Sequence, residues 1–175
     1  TMFQEFGGIA SPLKGEKGTG WEGGDRVPCI FYWPDKISPS VNADLIINTD
    51  LYATLASFAG VRVQEGEAID SHDISSLLLS GANSSRKKHI YFHHQPMAWR
   101  NGDYKIHFQT SDRIRNPETG VMERKVVQDP PLLFDISSDM RESKNIASQH
   151  PDIVQKLTGE FNSAIEALNN GGIYD

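Results

Sequence analysis

The sequence predicts an α/β chain that contains a small antiparallel sheet of about four strands packed by a C-terminal helix. Three observations predict it. Short aromatic-rich segments separated by turn signals lie between His89 and Thr110. An apolar stripe at helical spacing (Ile153, Leu157, Phe161, Ile165 and Leu168) closes the chain. Ahead of both, an apolar run from Val27 to Trp33 precedes a second helical pattern, the order of a strand followed by a helix.

Residues 1–25 hold seven of the 15 glycines, and Gly15, Gly18, Gly20, Gly23 and Gly24 fall within ten positions. Such spacing suits an ordered loop whose backbone needs positive φ or close approach to a ligand. Val27 to Trp33 is nearly unbroken apolar and aromatic sequence, with Pro28 near its start and Pro34 at its end, as expected of a buried strand. Pro34 to Val41 reads as a connection. From Asn48 to Ala59, Leu51, Leu55, Phe58 and Ala59 recur at helical spacing, with Asn48 or Thr49 as N-cap, Asp50 in the first turn and Gly60 as the stop. Residues 61–72 read as loop, and Ile74 to Leu79 as a helical turn ending near Gly81. The polar tract Asn83 to Lys88 reads as an exposed tip, and Asn83-Ser84-Ser85 formally fits a glycosylation acceptor.

His89 to His94, Ala98 to Asn101 and Tyr104 to Thr110 then read as a meander, with Asn101-Gly102-Asp103 turning between the last two. Residues 111–129 are polar and predict a long excursion, after which Leu132 to Ile136 gives a further strand. Pro151 suits the first turn of the final helix, which ends at Gly171-Gly172 and should pack on the sheet.

Composition limits the functional classes. At 175 residues, 38% hydrophobic and 23% charged, the chain should fold, and length alone gives no reason to divide it. With 17 basic and 23 acidic side chains the formal charge is -6, so general attraction to nucleic acid or an anionic membrane is not expected. No stretch approaches the length of a membrane span, and the start, Thr1-Met2-Phe3-Gln4-Glu5, lacks the order of a signal peptide. Cys29 is the only cysteine, which excludes an intrachain disulfide and C-x-x-C chemistry; inside an apolar run it is expected to be a buried, inert thiol.

The segment Pro12-Leu13-Lys14-Gly15-Glu16-Lys17-Gly18-Thr19-Gly20-Trp21-Glu22-Gly23-Gly24-Asp25-Arg26-Val27-Pro28 carries the most chemistry. Gly18 to Gly23 matches G-x-G-x-x-G as a string. Its context rejects dinucleotide binding, because that fingerprint follows a strand and opens a helix, whereas here a proline and a strand-like run follow. What the loop offers is a lysine ammonium flanked by glycines, which lets a point charge and backbone N–H groups approach a tetrahedral oxyanion, sulfate or phosphate alike. The alternative is a glycine-rich surface turn whose lysines are simply solvated.

That loop, followed by Phe31-Tyr32-Trp33-Pro34 and by Asn48 to Gly60, resembles the type I sulfatases, the arylsulfatase and N-acetylgalactosamine-6-sulfatase group. Ile69 to Leu78 is similar to the family's Asp-Gly-x-Ser/Asp-Leu-x-Pro-Leu-Leu element, with Ser71 and Ser75 replacing its glycine and proline. Tyr104 to Phe108 and Leu132 to Asp139 resemble the closing strands and the Leu-Tyr-Asp-Leu-x-x-Asp-Pro-x-Glu run, with Met140 where proline is usual. The resemblance extends from Pro12 to Leu168. It implies that residues 1–82 close an alkaline-phosphatase-like core, while residues 83–175 form a C-terminal subdomain.

By this resemblance Lys17 corresponds to the lysine that binds the sulfate group, with Lys14 as a second choice. Glu22 and Arg26 occupy recurring loop positions and are expected to brace the loop through charge-assisted bonds. His93 and His94, at the end of their strand, are candidates for contact with a sugar hydroxyl or second anion; alternation along a strand turns at most one of them to a pocket. Arg100 is a candidate for pairing with a sugar substituent. Trp99 reads as core, and His107, alternating with Ile106 and Phe108, as outward-facing.

Sulfatases of this type use a formylglycine made from Cys or Ser in Cys/Ser-x-Pro-x-Arg, beside a calcium ion. Cys29-Ile30-Phe31-Tyr32-Trp33 does not fit that motif. The chain is therefore expected to be the C-terminal portion of a sulfatase, inactive alone, with calcium and formylglycine in a missing N-terminal half that is its partner. An aryl sulfate or sulfated glycan is the implied substrate, and a periplasmic, secreted or lysosome-like compartment the implied setting. Exposed apolar surface would favour self-association. Two alternatives remain: a portion of a related phosphodiesterase or phosphonate hydrolase, or a stand-alone carbohydrate- or protein-binding module using His93, His94 and Trp99.

Overall fold

A computed structural model describes residues 10–64, 66, 70–127 and 131–173. Residues 1–9 of the glycine-rich stretch, Gly7 and Gly8 included, residues 65 and 67–69 of the expected loop, the last of them Ile69 of the Ile69–Leu78 element, and residues 128–129 of the expected excursion lie outside the described residues. The chain is mixed α/β, with a small antiparallel sheet and a C-terminal helix. It forms two units: the described residues of Thr1–Val27 with those of Lys88–Asp175, and those of Pro28–Lys87. The glycine loop thus groups with the sheet, whereas the boundary expected from sequence lay at residues 82 and 83.

In the first unit, the short helix α1 (Glu22–Asp25) ends the glycine loop. Strands β1 (Lys88–His93), β2 (Gln95–Asn101), β3 (Tyr104–His107) and β6 (Leu132–Asp135) form a four-stranded antiparallel sheet in the order β1-β2-β3-β6. Residues 102 and 103 make the β2–β3 turn, with Gly102 at φ +62°. The predicted polar excursion is instead a hairpin, β4 (Thr110–Arg115) with β5 (Met122–Val127). Its loop closes because the Asn116 side chain accepts the backbone N–H of Glu118 at 2.8 Å while Gly120 takes φ +69°, turn chemistry that outweighs the segment's polarity.

Cross-strand register explains how both faces of the four-stranded sheet are covered. Ile90, Trp99, Ile106 and Leu133 form one row. On that row packs α4 (Pro151–Asn169), through Leu157 and Ala164 with Ile153, Phe161, Ile165 and Leu168. Phe161 stacks on Phe108 at 4.2 Å, and the Trp99 indole N–H donates to Glu160 at 3.0 Å, which satisfies a polar atom in an apolar setting. Tyr91, Ala98, Arg100, Lys105, His107 and Phe134 occupy the opposite face by the same alternation. Trp21 of the glycine loop packs there against Phe134 and Ile136.

The second unit contains α2 (Asp50–Phe58) and α3 (Ser75–Ser80), the latter stopped by Gly81 at φ +70°. It buries Ile74 and Leu77, but the stripe expected of α2 does not form its inner face: Leu51 and Leu55 are exposed, and the buried residues of that helix are Asp50 and Thr54. Asp50 is fully buried and receives Arg86 Nε and Nη2 together with the backbone N–H of His72 and Ile47. The tract 83–88 is accordingly not a solvated tip, since Ser84 and Arg86 are buried, the latter by its pairing with Asp50. Val27 to Trp33 forms no strand and Cys29 is exposed, both contrary to the sequence reading. Ile30 and Tyr32 are 90% and 86% exposed: a strand is held by a neighbour's ladder, and no described strand pairs with this run.

Candidate functional site

The loop that carries Lys17 is built in two tiers. At its apex, Glu16-Lys17-Gly18-Thr19 is a β-turn closed by the Thr19 N–H donating to Glu16 O at 3.1 Å, with Gly18 at φ +86° in the position that demands it. The Thr19 hydroxyl, buried beneath, also donates to Glu16 O at 2.8 Å and accepts the Glu16 N–H at 3.3 Å. At its stem, the Gly23 N–H donates to Lys14 O at 2.7 Å. A Cβ on Gly23 would lie 2.5 Å from that oxygen and 2.7 Å from Gly15 O, so the loop closes on itself only with glycine there.

Beneath the stem lies a buried network of charges. Glu22 Oε1 accepts Lys105 Nζ at 2.9 Å and the Tyr91 hydroxyl at 2.7 Å, while Glu22 Oε2 accepts Arg26 Nε at 3.1 Å. Glu142, which has no exposed surface and sits at φ +52°, accepts the backbone N–H of Glu22 at 2.7 Å, Lys105 Nζ at 3.1 Å and His107 Nε2 at 2.5 Å. Lys105 Nζ also lies 3.6 Å from the centre of the Tyr91 ring. Two carboxylates, Glu22 and Glu142, therefore face Lys105 between them, and Arg26 adds a second cation at Glu22.

The titrations follow from this arrangement. Burial alone would raise the Glu22 pKa, but the Lys105 charge and hydrogen bond, with those of Tyr91 and Arg26, bring it down to about 2. Burial and the nearby Lys105 charge lower His107 against the pull of its bond to Glu142. Tyr91 is raised well above its ordinary value by burial and by the Glu22 charge.

The candidates named from sequence fall in different places. Lys17 is exposed at the turn apex, and Lys14 holds its ammonium 3.7 Å from the Trp21 ring centre. Glu22 and Arg26 are bonded to each other. His93 ends β1, but His94 is the single turn residue between β1 and β2, at φ +60°, so the expected alternation fails and the two rings lie 4.3 Å apart. Arg100 is 8% exposed, on the sheet face that carries Lys105, and donates from Nε to Gly102 O at 2.9 Å. His107 is buried rather than outward-facing, because the glycine loop covers the second face; it stacks at 4.3 Å on Trp21.

Three participants escaped the sequence reading: Lys105, Tyr91 and Glu142. A lysine and a histidine alternating with apolar residues look like a solvent face. The signal against that reading was the aromatic content of the same face, Tyr91 and Phe134, which needs cover.

The model of the C-terminal region of aryl-sulfatase matches residues 84–171. The chain belongs to the sulfatase family. Arylsulfatase A of Homo sapiens is 34% identical over 172 residues, covering 90% of this chain and 34% of its own length. The N-acetylgalactosamine-6-O-sulfatase of Bacteroides thetaiotaomicron is 30% identical over 146 residues, covering 83% and 28%. The crystal structure of PsFucS1 sulfatase from Pseudoalteromonas sp. superposes with a TM-score of 0.76 at 28% identity, over 89% of this chain and 32% of that one. This sulfatase chain thus spans about a third of the length of the curated relatives it matches.

Calcium, which the sulfatase family implies, needs a cage of oxygen ligands. Among the described residues no three His, Cys, Asp or Glu side chains converge where they could hold a metal ion. The buried carboxylates Glu22, Glu142 and Asp50 are already committed to Lys105, His107, Arg26 and Arg86. The described residues of this chain do not fit the ion.

Proposed function

We propose that this chain contributes the sulfate-holding wall of a sulfate-ester hydrolase, with Lys17 as the cation that meets the sulfate group. The nucleophile, its activating groups and calcium would come from upstream sequence, in the same polypeptide or as a separate N-terminal chain. One observation carries the reading. Of the three lysines around the loop, Lys105 is buried between two carboxylates and Lys14 lies over Trp21, while Lys17 projects from a tightly closed turn into solvent.

As the S–O bond of a sulfate ester breaks, negative charge grows on the leaving oxygen and remains on the nonbridging oxygens. An ammonium fixed beforehand beside those atoms offsets the charge without reorganising at the moment of reaction. Lys14 is the second cation available to the same anion. His93 and His94, at the β1–β2 rim, would meet a sugar hydroxyl or a second anionic group, and Arg100, held through Nε by Gly102 O, would pair with a sugar substituent. A sulfated glycan is the substrate class favoured. The N-acetylgalactosamine-6-O-sulfatase relative supports this, as does a structural neighbour from Bacteroides thetaiotaomicron glycosaminoglycan metabolism with a TM-score of 0.68 at 30% identity.

The test is hydrolysis of an aryl sulfate with and without calcium. The chain alone should show no steady turnover. Joined to upstream sulfatase sequence it should turn over, and Lys17→Ala should then lower kcat by about 10²–10³-fold. Steady turnover by the chain alone, or an undiminished Lys17→Ala variant, overturns the reading.

A further inference from the structure

The direction in which Lys17 points is set by groups that do not themselves reach a sulfate. Lys17 occupies the second position of its turn, so its Cα–Cβ vector is fixed by the turn's closure and by the anchoring of the stem. Closure depends on the Thr19 side chain, 3% exposed, whose hydroxyl bonds both the carbonyl and the N–H of Glu16. Anchoring depends on Glu142, whose carboxylate holds the Glu22 N–H at 2.7 Å while also facing Lys105 and His107. Between these points the loop has little freedom, since Gly23 is packed against the backbone of Lys14 and Gly15.

We propose that Thr19 and Glu142 are positioning residues for Lys17: Thr19 fixes the turn, and Glu142 fixes its stem to the sheet through the Glu22 N–H. The inference rests on the reading of Lys17 given above. Neither residue touches the anion. Each acts by keeping the ammonium where the sulfate oxygens arrive, so that no ordering of the loop is charged against binding.

The experiment is a titration of the 175-residue chain with inorganic sulfate at constant ionic strength, followed by the backbone amide signals of Lys17 and Gly18. Thr19→Val and Glu142→Ala should each weaken sulfate affinity about tenfold while the spectrum stays dispersed. Thr19→Ser, which keeps the hydroxyl, and Glu142→Gln, which keeps an acceptor for the Glu22 N–H, should recover affinity to within about threefold of wild type. A merely structural role would lower stability without this rescue of affinity. Folded Thr19→Val and Glu142→Ala variants that bind as wild type does, or conservative variants no better than the others, overturn the inference. If Glu142→Ala fails to fold, the Thr19 pair decides the matter by the same criterion. A Lys17→Ala variant that binds sulfate as tightly as wild type removes the reading of Lys17, and this inference with it. Loss of binding in Lys17→Ala together with unaffected Thr19 and Glu142 variants removes the inference alone.

Discussion

Glu142 accepts the backbone N–H of Glu22 at 2.7 Å across 120 positions of sequence. The bond ties the stem of the lysine loop to the segment following the last sheet strand, and Lys105 completes the tie by facing both carboxylates, at 2.9 Å and 3.1 Å. A carboxylate used in this way cannot be judged as a pair in isolation, because its lone pairs serve a backbone donor, a lysine and a histidine at once.

Removing the lysine leaves both carboxylates without their shared cation in a site closed to water. Lys105→Met should therefore destabilise the sheet unit by about 3–5 kcal/mol. Urea unfolding followed by tryptophan fluorescence measures it. A loss below about 1 kcal/mol would mean that water or a rearranged Arg26 compensates.

Three shifted groups set the acid response of the unit, and one of them opposes the other two. The His107 pKa is lowered on folding, so the stabilisation it lends is complete above its ordinary 6.5 and fades as pH falls below that value. The Glu22 pKa falls from 4.5 to about 2, so its contribution is present above pH 4.5 and is lost between there and about 2. Asp25 opposes both: burial raises its pKa from 3.8 to about 6, so its ionised form costs stability above about 6 and that cost is relieved as pH falls toward 3.8. The net fall in unfolding midpoint is thereby left to the region below about 4, where only Glu22 is still losing its contribution. His107→Gln should remove the loss below 6.5 and leave that of Glu22, whereas midpoints of the variant and the wild type that run parallel from pH 8 to pH 5 would contradict the assignment.

Gly23→Ala places a methyl group against Lys14 O and Gly15 O, at distances no Cβ tolerates. The loop must open, at a cost of about 1–3 kcal/mol, and the amide signals of residues 14–24 should shift together. A crystal structure of the variant with the loop unchanged would refute the claim that closure requires glycine.

In the second unit, Asp50→Ala strands the buried Arg86 guanidinium, and His72 and Ile47 lose an acceptor. A loss of about 3–5 kcal/mol is expected there, read from hydrogen exchange of the α2 amides. Exchange rates unchanged from wild type would show that Arg86 finds solvent.

The periodic elements were legible in the sequence, and for a physical reason. The stripe from Ile153 to Leu168 and the alternation around Ile106 each encode one face, and a single covering partner satisfies each. What local pattern does not encode is a second cover. Nothing near His107 announces that Trp21 lies on it, and nothing near Glu22 announces Glu142, because both contacts span the chain. The hairpin of β4 and β5 was missed since its strands are polar and its register comes from Asn116 and Gly120. The strand expected at Val27 to Trp33 failed for the opposite reason: its apolar content is real, but a strand also needs a paired neighbour. The turn around Lys17 was legible from its glycine spacing, whereas the groups that hold that loop, Thr19 and Glu142, became visible only in three dimensions.

The dissociation constant of inorganic sulfate, measured for the chain and for its Lys17→Ala variant, decides whether Lys17 holds the anion. Saturable shifts centred on Lys17 and Gly18, with affinity reduced at least about tenfold in the variant, are the predicted result. Equal constants for the two proteins, or shifts that bypass the loop, would contradict it.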